Sequence, residues 1–194
     1  MSDDAPSFFH SLAGLLLRVE ATDGAGAPVG FERGFAAGVS LIRAQTTEGR
    51  KVIFIGNGGS AAIASHQAVD YWKNGGMRAM AFNDASLLTC IGNDYGYPHV
   101  FEKPVEMFAD PGDVLVAISS SGRSENIHRG ARAGAAKACR VITLSGFEPG
   151  NPLREVGELN FYVPARSYGQ VEITHLAICH AMLDLIIETR QAGR

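Results

Sequence analysis

The sequence predicts an α/β protein in which a doubly wound sheet of five parallel strands is flanked by helices, with extra helices at the N-terminus. Short, continuously apolar segments alternate along the chain with longer segments whose apolar residues recur at helical spacing. Two of the apolar segments run directly into loops rich in glycine or serine. Alternation of strands and helices is typical of a parallel sheet, because parallel neighbours need a crossover connection.

Two helices are predicted before the first strand. Residues 8–19 and residues 31–47 carry apolar side chains at helical spacing, while residues 21–30 are rich in Gly and Ala and contain Pro28, so they predict a loop. These helices exceed what one sheet needs as cover. We expect them, together with an apolar C-terminal helix, to form an interface between subunits; the alternative is that they only cover the sheet within one subunit.

The first of the five strands is residues 51–55, an apolar run of the kind found in strands buried on both faces. The other four are predicted over residues 77–82, 113–118, 140–144 and 159–163. Helices are predicted over residues 61–72, 86–91, 104–108, 126–138 and 171–189, with a loop over residues 92–97.

Composition excludes several classes of protein. A chain of 194 residues with 46% hydrophobic and 19% charged residues suits one globular domain, and a net charge of −3 argues against nucleic acid as the main partner. The three widely spaced cysteines are expected to be small buried thiols in a reducing cytosol. The acidic start of the chain lacks the features of a signal peptide, and no apolar run approaches the length that spans a bilayer. We therefore expect a cytoplasmic protein that binds no membrane.

The loop Gly-Asn-Gly-Gly-Ser at residues 56–60 lies between the first strand and a helix. Glycines let backbone amides approach an anion, and the helix N-terminus adds free N–H groups, with Ser60 as a plausible N-cap. The loop also fits, with Ala61, the glycine pattern of dinucleotide-binding proteins, and Asp84 follows the next strand. A nicotinamide-dependent oxidoreductase is therefore a competing interpretation, and a turn without any ligand is another.

A second loop distinguishes these interpretations. It reads Ser-Ser-Ser-Gly-Arg-Ser at residues 119–124, after the third strand, and it opens another helix. Serine is common in turns, but a phosphomonoester has three terminal oxygens that hydroxyl and amide donors can satisfy, whereas a dinucleotide fold has no evident need of such a loop. Both loops follow the carboxyl ends of strands, where open α/β sheets bind ligands. Phosphate binding is the favoured hypothesis.

These two loops resemble a known family. Gly-Asn-Gly-Gly-Ser at residues 56–60 together with Ser119-Ser-Ser-Gly-x-Ser124-x-Asn126 is similar to the sugar isomerase (SIS) domain, and within it to the phosphoheptose isomerases. The resemblance runs from about Phe31 to Glu188 and includes Cys90-Ile-Gly-Asn-Asp-Tyr-Gly96 and the Glu172…His175…His180 segment. It implies one flavodoxin-like SIS domain over residues 1–194, with N-terminal helices over 1–47 and an α/β core and C-terminal helix over 48–194.

The same resemblance implies an activity. Phosphoheptose isomerases interconvert sedoheptulose 7-phosphate and D-glycero-D-manno-heptose 7-phosphate, an aldose–ketose isomerisation whose product can serve lipopolysaccharide, capsule or another glycan. Members of the family form homotetramers with active sites between subunits and commonly bind zinc. These properties are expectations for this chain and do not follow from its composition.

Isomerisation through an enediol needs a base, and an acid or a metal ion at the carbonyl oxygen. His66 and Asp70 are spaced i and i+4 on a predicted helix and so share one face, which suits two ligands of one metal or a base beside its orienting partner. An ordinary exposed pair is the alternative. Glu172 and His180 share the last helix, about 12 Å apart along its axis, so they meet one metal only if Glu172 lies in an irregular first turn.

The resemblance implies a role for each of these side chains. His66 matches a metal-binding histidine, Asp70 matches the acidic position usually filled by the glutamate base, and His180 matches the proposed general acid. Glu172 stands where the family has a glutamine that can ligate zinc. His175 is expected to be a packed core histidine.

Two of these positions depart from the family pattern. Asp70 is shorter than Glu by one methylene, and Glu172 adds a negative charge where the family has Gln. One hypothesis is that the changes compensate, with Glu172 acting as base while Asp70 ligates metal. The other is that the substrate differs from sedoheptulose 7-phosphate.

The sequence therefore predicts a metal-assisted phosphosugar isomerase. The expected catalytic residues are Asp70, Glu172 and His180, and the expected Zn²⁺ ligands are His66, Asp70, Glu172 and His180. The expected substrate-binding residues are Asn57, Ser60, Asp94, Ser119, Ser120, Ser121 and Ser124. The alternatives are a non-catalytic SIS protein of the replication-initiator-associated type and an isomerase of another sugar phosphate.

Overall fold

A single six-stranded sheet forms the centre of the molecule in the computed structural model, which describes residues 4–192. The strands are β1 (Glu20–Asp23), β2 (Val52–Gly56), β3 (Ala79–Ala81), β4 (Val114–Ser119), β5 (Arg140–Gly146) and β6 (Leu159–Val163). Their order across the sheet is β1-β6-β5-β4-β2-β3, and every pairing is parallel except that of β1 with β6.

Seven helices connect or flank these strands in the described part of the chain. They are α1 (Ala5–Leu16), α2 (Phe31–Thr47), α3 (Gly59–Lys73), α4 (Ala85–Asp94), α5 (Glu102–Phe108), α6 (Glu125–Ala136) and α7 (Tyr168–Ala192). Two short 3₁₀ turns, Tyr97–His99 and Pro152–Glu155, complete the connections.

Side chains alternate between two hydrophobic cores, one on each face of the sheet. On β2, Phe54 enters the core that α2, α3 and α7 cover, whereas Ile53 and Ile55 enter the core that α5 and α6 cover. A strand with cores on both faces has no polar side, which explains why the predicted strands are continuously apolar. The doubly wound α/β class is thereby confirmed.

The topology places the two predicted anion loops side by side. The five parallel strands run β3-β2-β4-β5-β6 across the sheet, so the chain leaves β2 toward one edge and then returns to β4 on its other side. This is the flavodoxin-like order, and its switch point lies between β2 and β4. Loops that follow β2 and β4 diverge there and leave a crevice at the carboxyl edge of the sheet.

The sheet has one strand more than the five predicted. Residues 20–23, at the edge of the segment predicted as a loop, form β1, which pairs antiparallel with β6. Asp23 closes the turn after β1, because its Oδ1 accepts hydrogen bonds from the backbone N–H groups of Ala25 and Ala27, both at 2.9 Å. A four-residue edge strand followed by Gly and Pro lacks the apolar alternation that sequence patterns detect. The first 47 residues thus contribute a strand to the sheet as well as helices.

Two of the differences between the predicted and the observed helix bounds affect the site. Helix α3 begins at Gly59 with Gly58 as its N-cap, so Ser60 lies within the first turn and is not the cap. Helix α4 continues through Asp94, so residues 92–94 are helical and the predicted loop starts only at Tyr95. Both differences change which side chains reach the crevice.

The C-terminal helix α7 is longer and more apolar than the sequence prediction allowed. The most apolar 18-residue segment within residues 168–191 has a mean hydropathy of 1.3, which a membrane-spanning helix could also show, so the expectation that no apolar run approaches that length is wrong for α7. In this fold 44% of that segment is buried, and α7 packs against α2 and α3. Its buried apolar residues, Val171, Ile178, Met182, Leu183 and Ile186, belong to the core on that face of the sheet.

All three cysteines are free thiols, but only two of them match the expected burial. Cys139 and Cys179 are buried, and burial raises the pKa of the Cys179 thiol to about 12. Cys90 is exposed on α4, so the prediction of three buried thiols is wrong at this position.

Candidate active site

A cavity of about 200 Å³ opens at the crevice between the loops that follow β2 and β4. The beginnings of α3 and α7 complete its walls. It is lined by Asn57, Gly58, Gly59, Ser60, Ile118, Ser119, Ser120, Ser121, Ser124, Tyr168 and Glu172. Six of the seven predicted substrate-binding residues therefore meet in one space, and the exception is Asp94.

The first wall depends on the close approach of α3 to the end of β2. A Cβ at Gly56 would overlap the backbone of Ser60, so only glycine allows this approach. Gly58 adopts φ +53°, in the left-handed region. Together these glycines turn the chain sharply and bury the Ser60 side chain in the cavity wall at the N-terminus of α3.

The second wall is the serine loop, residues 119–124. Ser119 and Ser120 are buried, and Ser121 and Ser124 are half-buried. The Ser119 hydroxyl donates to the Ser124 hydroxyl at 3.3 Å. Ser124 is the N-cap of α6 but makes no side-chain capping bond, so the first amides of α6 lie beside the serine hydroxyls without an internal partner from the cap. This combination of donors suits an anion with several oxygens.

Asn57 joins the two loops. Its side-chain amide exchanges two hydrogen bonds with the amide of Asn126 on α6, each at 2.9 Å. The Tyr97 hydroxyl donates to the same Asn57 oxygen at 3.1 Å. Asn57 was predicted to contact substrate, and it does line the cavity, but most of its hydrogen-bonding capacity holds the loops together. The contribution of Tyr97 was not predicted, because it depends on packing between distant segments.

His66, Asp70 and His180 come together in a cluster of their own on α3 and α7. Asp70 Oδ2 lies 3.4 Å from His66 Nε2 and 3.7 Å from His180 Nδ1, and the two imidazole rings are 5.2 Å apart at their centroids. Asn74 donates to the other Asp70 oxygen at 3.2 Å. The pair spaced i, i+4 on α3 is thus confirmed as neighbours, and the packing of α7 against α3 brings His180 to it.

The donor set of this cluster fits a zinc ion. One ligand atom from each of the three side chains lies within 4.8 Å of the others. Ligands about 2.1 Å from a tetrahedral zinc ion lie about 3.4 Å from one another, close to the two distances at Asp70. Two imidazoles and one carboxylate are also a set that catalytic zinc sites use with one position open.

Glu172 lies apart from this cluster within one chain, and its role as a metal ligand stays a prediction. Its carboxylate packs over the Cα of Gly59, at the start of α3, where a Cβ would overlap it. The two turns of α7 between Glu172 and His180 separate them along the axis, and the regular first turn of α7 supplies no bend to close that gap. Glu172 instead faces the serine loop across the cavity.

Asp94 also lies away from the cavity. It was predicted to face the sugar hydroxyls from a loop, but the extension of α4 places it at the last helical position. There its carboxylate is exposed and accepts hydrogen bonds from Asn93 at 2.8 Å and from the Cys90 thiol at 3.6 Å. The neighbouring carboxylate raises the pKa of that thiol.

His175 is a core residue, as predicted. It is fully buried on α7, and its Nε2 donates to the Ser145 carbonyl at 3.1 Å. Burial lowers the pKa of His175 to about 4, so the imidazole is neutral at physiological pH.

Comparisons with known proteins agree with this architecture. The SIS domain family matches residues 30–146 of the chain. The phosphoheptose isomerase of Rhodospirillum rubrum is 38% identical over 192 residues, covering 96% of this chain and 97% of that protein. The phosphoheptose isomerase of Geobacter sulfurreducens is 37% identical over 157 residues, covering 78% of this chain and 82% of that protein. A solved phosphoheptose isomerase from Francisella tularensis superimposes with a TM-score of 0.82 at 27% identity, over 97% of this chain and 99% of that one.

Proposed function

Because the chain belongs to the SIS domain family, and within it to the phosphoheptose isomerases, we propose that it interconverts sedoheptulose 7-phosphate and D-glycero-D-manno-heptose 7-phosphate. Membership makes the chain an enzyme that interconverts an aldose and a ketose. The observation that carries the choice of a phosphorylated sugar is the cavity in which serine hydroxyls and the starts of two helices converge.

The phosphate end of the substrate binds at the serine loop. Hydroxyls of Ser119, Ser120 and Ser121 stand next to the amides at the start of α6, and Ser60 faces them from the start of α3. Two helix N-termini contribute partial positive charge to the same place, which offsets the charge of a phosphate dianion without any Lys or Arg in the cavity wall.

The distance between the two parts of the site supports a long sugar. Gly59 at the cavity and His66 in the cluster are seven residues apart on α3, about 10 Å along the helix axis. A seven-carbon chain, with six C–C bonds of about 1.5 Å, spans on the order of 8 Å when extended, and the phosphate ester adds to that length. A heptose phosphate held at the serine loop therefore brings its carbonyl end to the His66, Asp70 and His180 cluster. A triose phosphate does not reach it.

Asp70 is the proposed base and His180 the proposed acid. The reaction moves a proton between C1 and C2, so the base must stand beside those carbons, and the acid must serve the oxygens. Asp70 is the carboxylate that lies between the two imidazoles, and Asn74 fixes its orientation. The His180 side chain is 36% exposed, so it can deliver a proton to a bound oxygen.

Zinc is the proposed cofactor, held by His66, Asp70 and His180. When bound, it would polarise the carbonyl and hydroxyl oxygens of the substrate and so acidify the proton that is moved. The pairwise distances at Asp70 and the imidazole–carboxylate donor set support this choice over a purely structural ion.

Glu172 is proposed to bind and orient the substrate without acting as base. Its carboxylate is at the phosphate end of the cavity, beside Gly59, and faces the hydroxyl groups next to the phosphate. Its negative charge close to the serine loop opposes phosphate binding, so replacement by the neutral Gln of the family should leave binding as strong or stronger.

The proposed assembly is a homotetramer with active sites between subunits. Apolar side chains remain exposed beside the cluster: Val69 and Trp72 on α3, and Ile173 and Leu185 on α7, are each more than 40% exposed. The His66 side chain is also 53% exposed, which a second subunit could cover. The chain is proposed to work in the cytoplasm.

The other interpretations have less support. A non-catalytic SIS protein has no need to bring an acid and two imidazoles together at the end of the crevice, as this chain does. A nicotinamide-dependent oxidoreductase has less support because the similar proteins described above are phosphoheptose isomerases. An isomerase acting on another sugar phosphate of similar length would use the same geometry.

The experiment is turnover of a panel of C5 to C7 ketose phosphates, each measured with and without a chelator. We expect the highest kcat/KM with sedoheptulose 7-phosphate and loss of activity in chelator that added Zn²⁺ restores. Preference for a pentose phosphate would reject the substrate, and full activity after demonstrated removal of metal would reject the cofactor.

A further inference from the structure

A buried histidine outside the cavity holds the serine loop from behind. His128 on α6 is 5% exposed, and its Nε2 lies 2.8 Å from the Gly122 carbonyl oxygen. A carbonyl can only accept, so Nε2 carries the proton and donates. Its Nδ1 is buried and has no hydrogen-bond partner among the described residues. Burial of a ring nitrogen without a hydrogen-bond partner costs free energy that an apolar side chain in the same space would not. The hydrogen bond of Nε2 to Gly122 is therefore what distinguishes His128 from an apolar residue at this position.

The residue it holds is the turning point of the loop. Gly122 adopts φ +62°, in the left-handed region, and its N–H donates to the Ser119 carbonyl at 3.0 Å. This turn reverses the chain between the buried Ser119 and Ser120 on one side and Ser124 on the other. The conformation of Gly122 therefore sets the spacing of the hydroxyls that would surround a phosphate.

Asn151 holds Gly122 from the opposite side. It is 1% exposed, and its amide nitrogen donates to the carbonyls of Glu148 at 2.9 Å and Gly146 at 3.2 Å and to the Ser145 hydroxyl at 3.1 Å. Its oxygen has no hydrogen-bond partner in the described chain and packs against the Cα of Gly122, where a Cβ would overlap it. Asn151 thus joins the loop to the end of β5.

Neither side chain lines the cavity, so neither can touch a ligand there. We propose that His128 and Asn151 are positioning residues, which fix Gly122 between α6 and the end of β5 and so keep the serine loop in the shape that receives a phosphate. The proposal rests on the proposed function because it requires a phosphorylated substrate. It does not depend on which sugar carries the phosphate.

The consequence is a specific kinetic signature. A preshaped loop lowers the cost of ordering the site when phosphate binds, so loss of the constraint weakens binding. The cluster that performs proton transfer lies on α3 and α7 and does not contact these residues, so the chemical step should change little. A residue that merely supports folding would instead lower thermal stability without a selective effect on KM.

The experiment compares three substitutions that differ in one donor. In His128→Gln the amide nitrogen can reach the place of Nε2, in His128→Asn it reaches only the place of Nδ1, and in His128→Leu the donor is absent. The readouts are the Kd for inorganic phosphate by calorimetry, KM and kcat with sedoheptulose 7-phosphate, and Tm. Ile127→Val, a buried change on the same helix, is the matched control for loss of stability.

We expect His128→Leu and His128→Asn to raise the phosphate Kd and the KM about tenfold, which corresponds to the loss of one typical hydrogen bond. The kcat of both variants should stay within about twofold of wild type. His128→Gln should have a phosphate Kd and a KM within about threefold of the wild-type values. The Ile127→Val control should lower Tm and leave the phosphate Kd unchanged. If His128→Leu fails to fold, the Asn and Gln pair still decides. Asn151→Leu should match His128→Leu.

An equal phosphate Kd in wild type and in the Asn variant would overturn the proposal, as would Gln and Asn variants that weaken binding equally. A wild-type chain that binds phosphate but does not turn over the heptose phosphate would reject the proposed substrate, while the phosphate Kd values would still test the positioning role. Absence of phosphate binding in wild type would reject both.

Discussion

At the scale of single residues, the two carboxylates of the site have separate surroundings. Asp70 lies between His66 and His180, whereas Glu172 lies beside Gly59 and lines the cavity. The sequence left open which of them is the base, because helical spacing alone does not say where each side chain points. Asp70 lies beside both imidazoles, whereas the Glu172 carboxylate lies at the start of α3. This difference favours Asp70 as the base.

The matched amide substitutions test this division. Asp70→Asn removes the proposed base, which is also a proposed zinc ligand, so we expect kcat to fall at least 100-fold and bound zinc, measured by mass spectrometry, to decrease. Glu172→Gln also removes one negative charge, but it removes neither the proposed base nor a proposed zinc ligand of the cluster. We expect it to keep more than a tenth of wild-type kcat, with full zinc content and an equal or lower KM. The reverse pattern, in which Glu172→Gln abolishes turnover with zinc retained, would assign the base to Glu172.

His175 should make the fold sensitive to acid. Burial lowers its pKa in the folded protein to about 4, compared with about 6.5 in an unfolded chain. The unfolded state therefore binds this proton first, and the free energy of unfolding falls as the pH drops from about 6.5 toward 4, by about 3 kcal/mol from this group at pH 4. Above pH 6.5 the effect is absent.

The measurement is urea unfolding of wild type and His175→Gln at pH 7 and at pH 4. Gln can keep a donor to Ser145 but does not titrate, so the difference in stability between the two proteins should shift toward the variant by about 3 kcal/mol on acidification. A difference that stays constant with pH would contradict the buried, neutral histidine.

At the scale of elements, a buried ion pair ties the start of β4 to the segment before β2. Lys51 Nζ lies 2.5 Å from Asp113 Oδ2 and 2.6 Å from Asp110 Oδ2, and the Asp113 side chain is 2% exposed. Asp113 also accepts from the backbone N–H groups of Lys51 at 2.9 Å and Asp110 at 2.8 Å. The same two strands carry the anion loops at their far ends, so this contact fixes their register.

Removal of Lys51 should therefore be costly. Lys51→Met leaves the Asp113 carboxylate buried without its counter-ion, and we expect the free energy of unfolding to fall by about 3 kcal/mol in thermal or urea unfolding. Lys103→Met removes the exposed Lys103–Glu106 pair, which has a similar N–O distance of 2.9 Å, and should change stability by less than about 1 kcal/mol. Equal effects of the two substitutions would show that burial of Asp113 does not matter.

Element prediction succeeded where one physical signal dominates and failed where several compete. The five buried parallel strands and the helix α2 followed from apolar runs and periodicity, with errors of one to two residues. Strand β1 was missed because four residues at a sheet edge derive their structure from β6 and from the Asp23 turn rather than from their own pattern. The last turn of α4 was missed because Gly92 and Asn93 are poor helix formers that tertiary contacts override.

At the scale of the whole molecule, the site depends on how helices from distant parts of the sequence meet. His66 and Asp70 could be paired from their spacing on α3. The approach of His180, more than 100 residues later in the chain, depends on the packing of α7 against α3. The adjacency of the two anion loops likewise follows from strand order. The family resemblance implied both the position of His180 and the adjacency of the loops. Spacing and periodicity alone could not predict them.

The exposed apolar side chains of α3 and α7 lead to a prediction about assembly. Trp72→Glu places a charge among the exposed apolar side chains of α3, beside Val69, so we expect the proposed tetramer to dissociate and turnover to fall with it. Light scattering coupled to size-exclusion chromatography measures the mass. Met107→Glu, at a residue that is 75% exposed on α5, is the matched control and should leave both unchanged. A wild-type chain that elutes as an active monomer would reject the assembly.

The central claim is that one crevice holds the phosphate at the serine loop and presents the other end of the sugar to the cluster of Asp70 and two imidazoles. A crystal structure of Asp70→Asn with sedoheptulose 7-phosphate bound tests it most directly. We expect phosphate oxygens within hydrogen-bonding distance of Ser119, Ser120 or Ser121 and the C1–C2 end of the sugar beside His180. A phosphate bound away from the serine loop, or a carbonyl end that points away from that cluster, would contradict it.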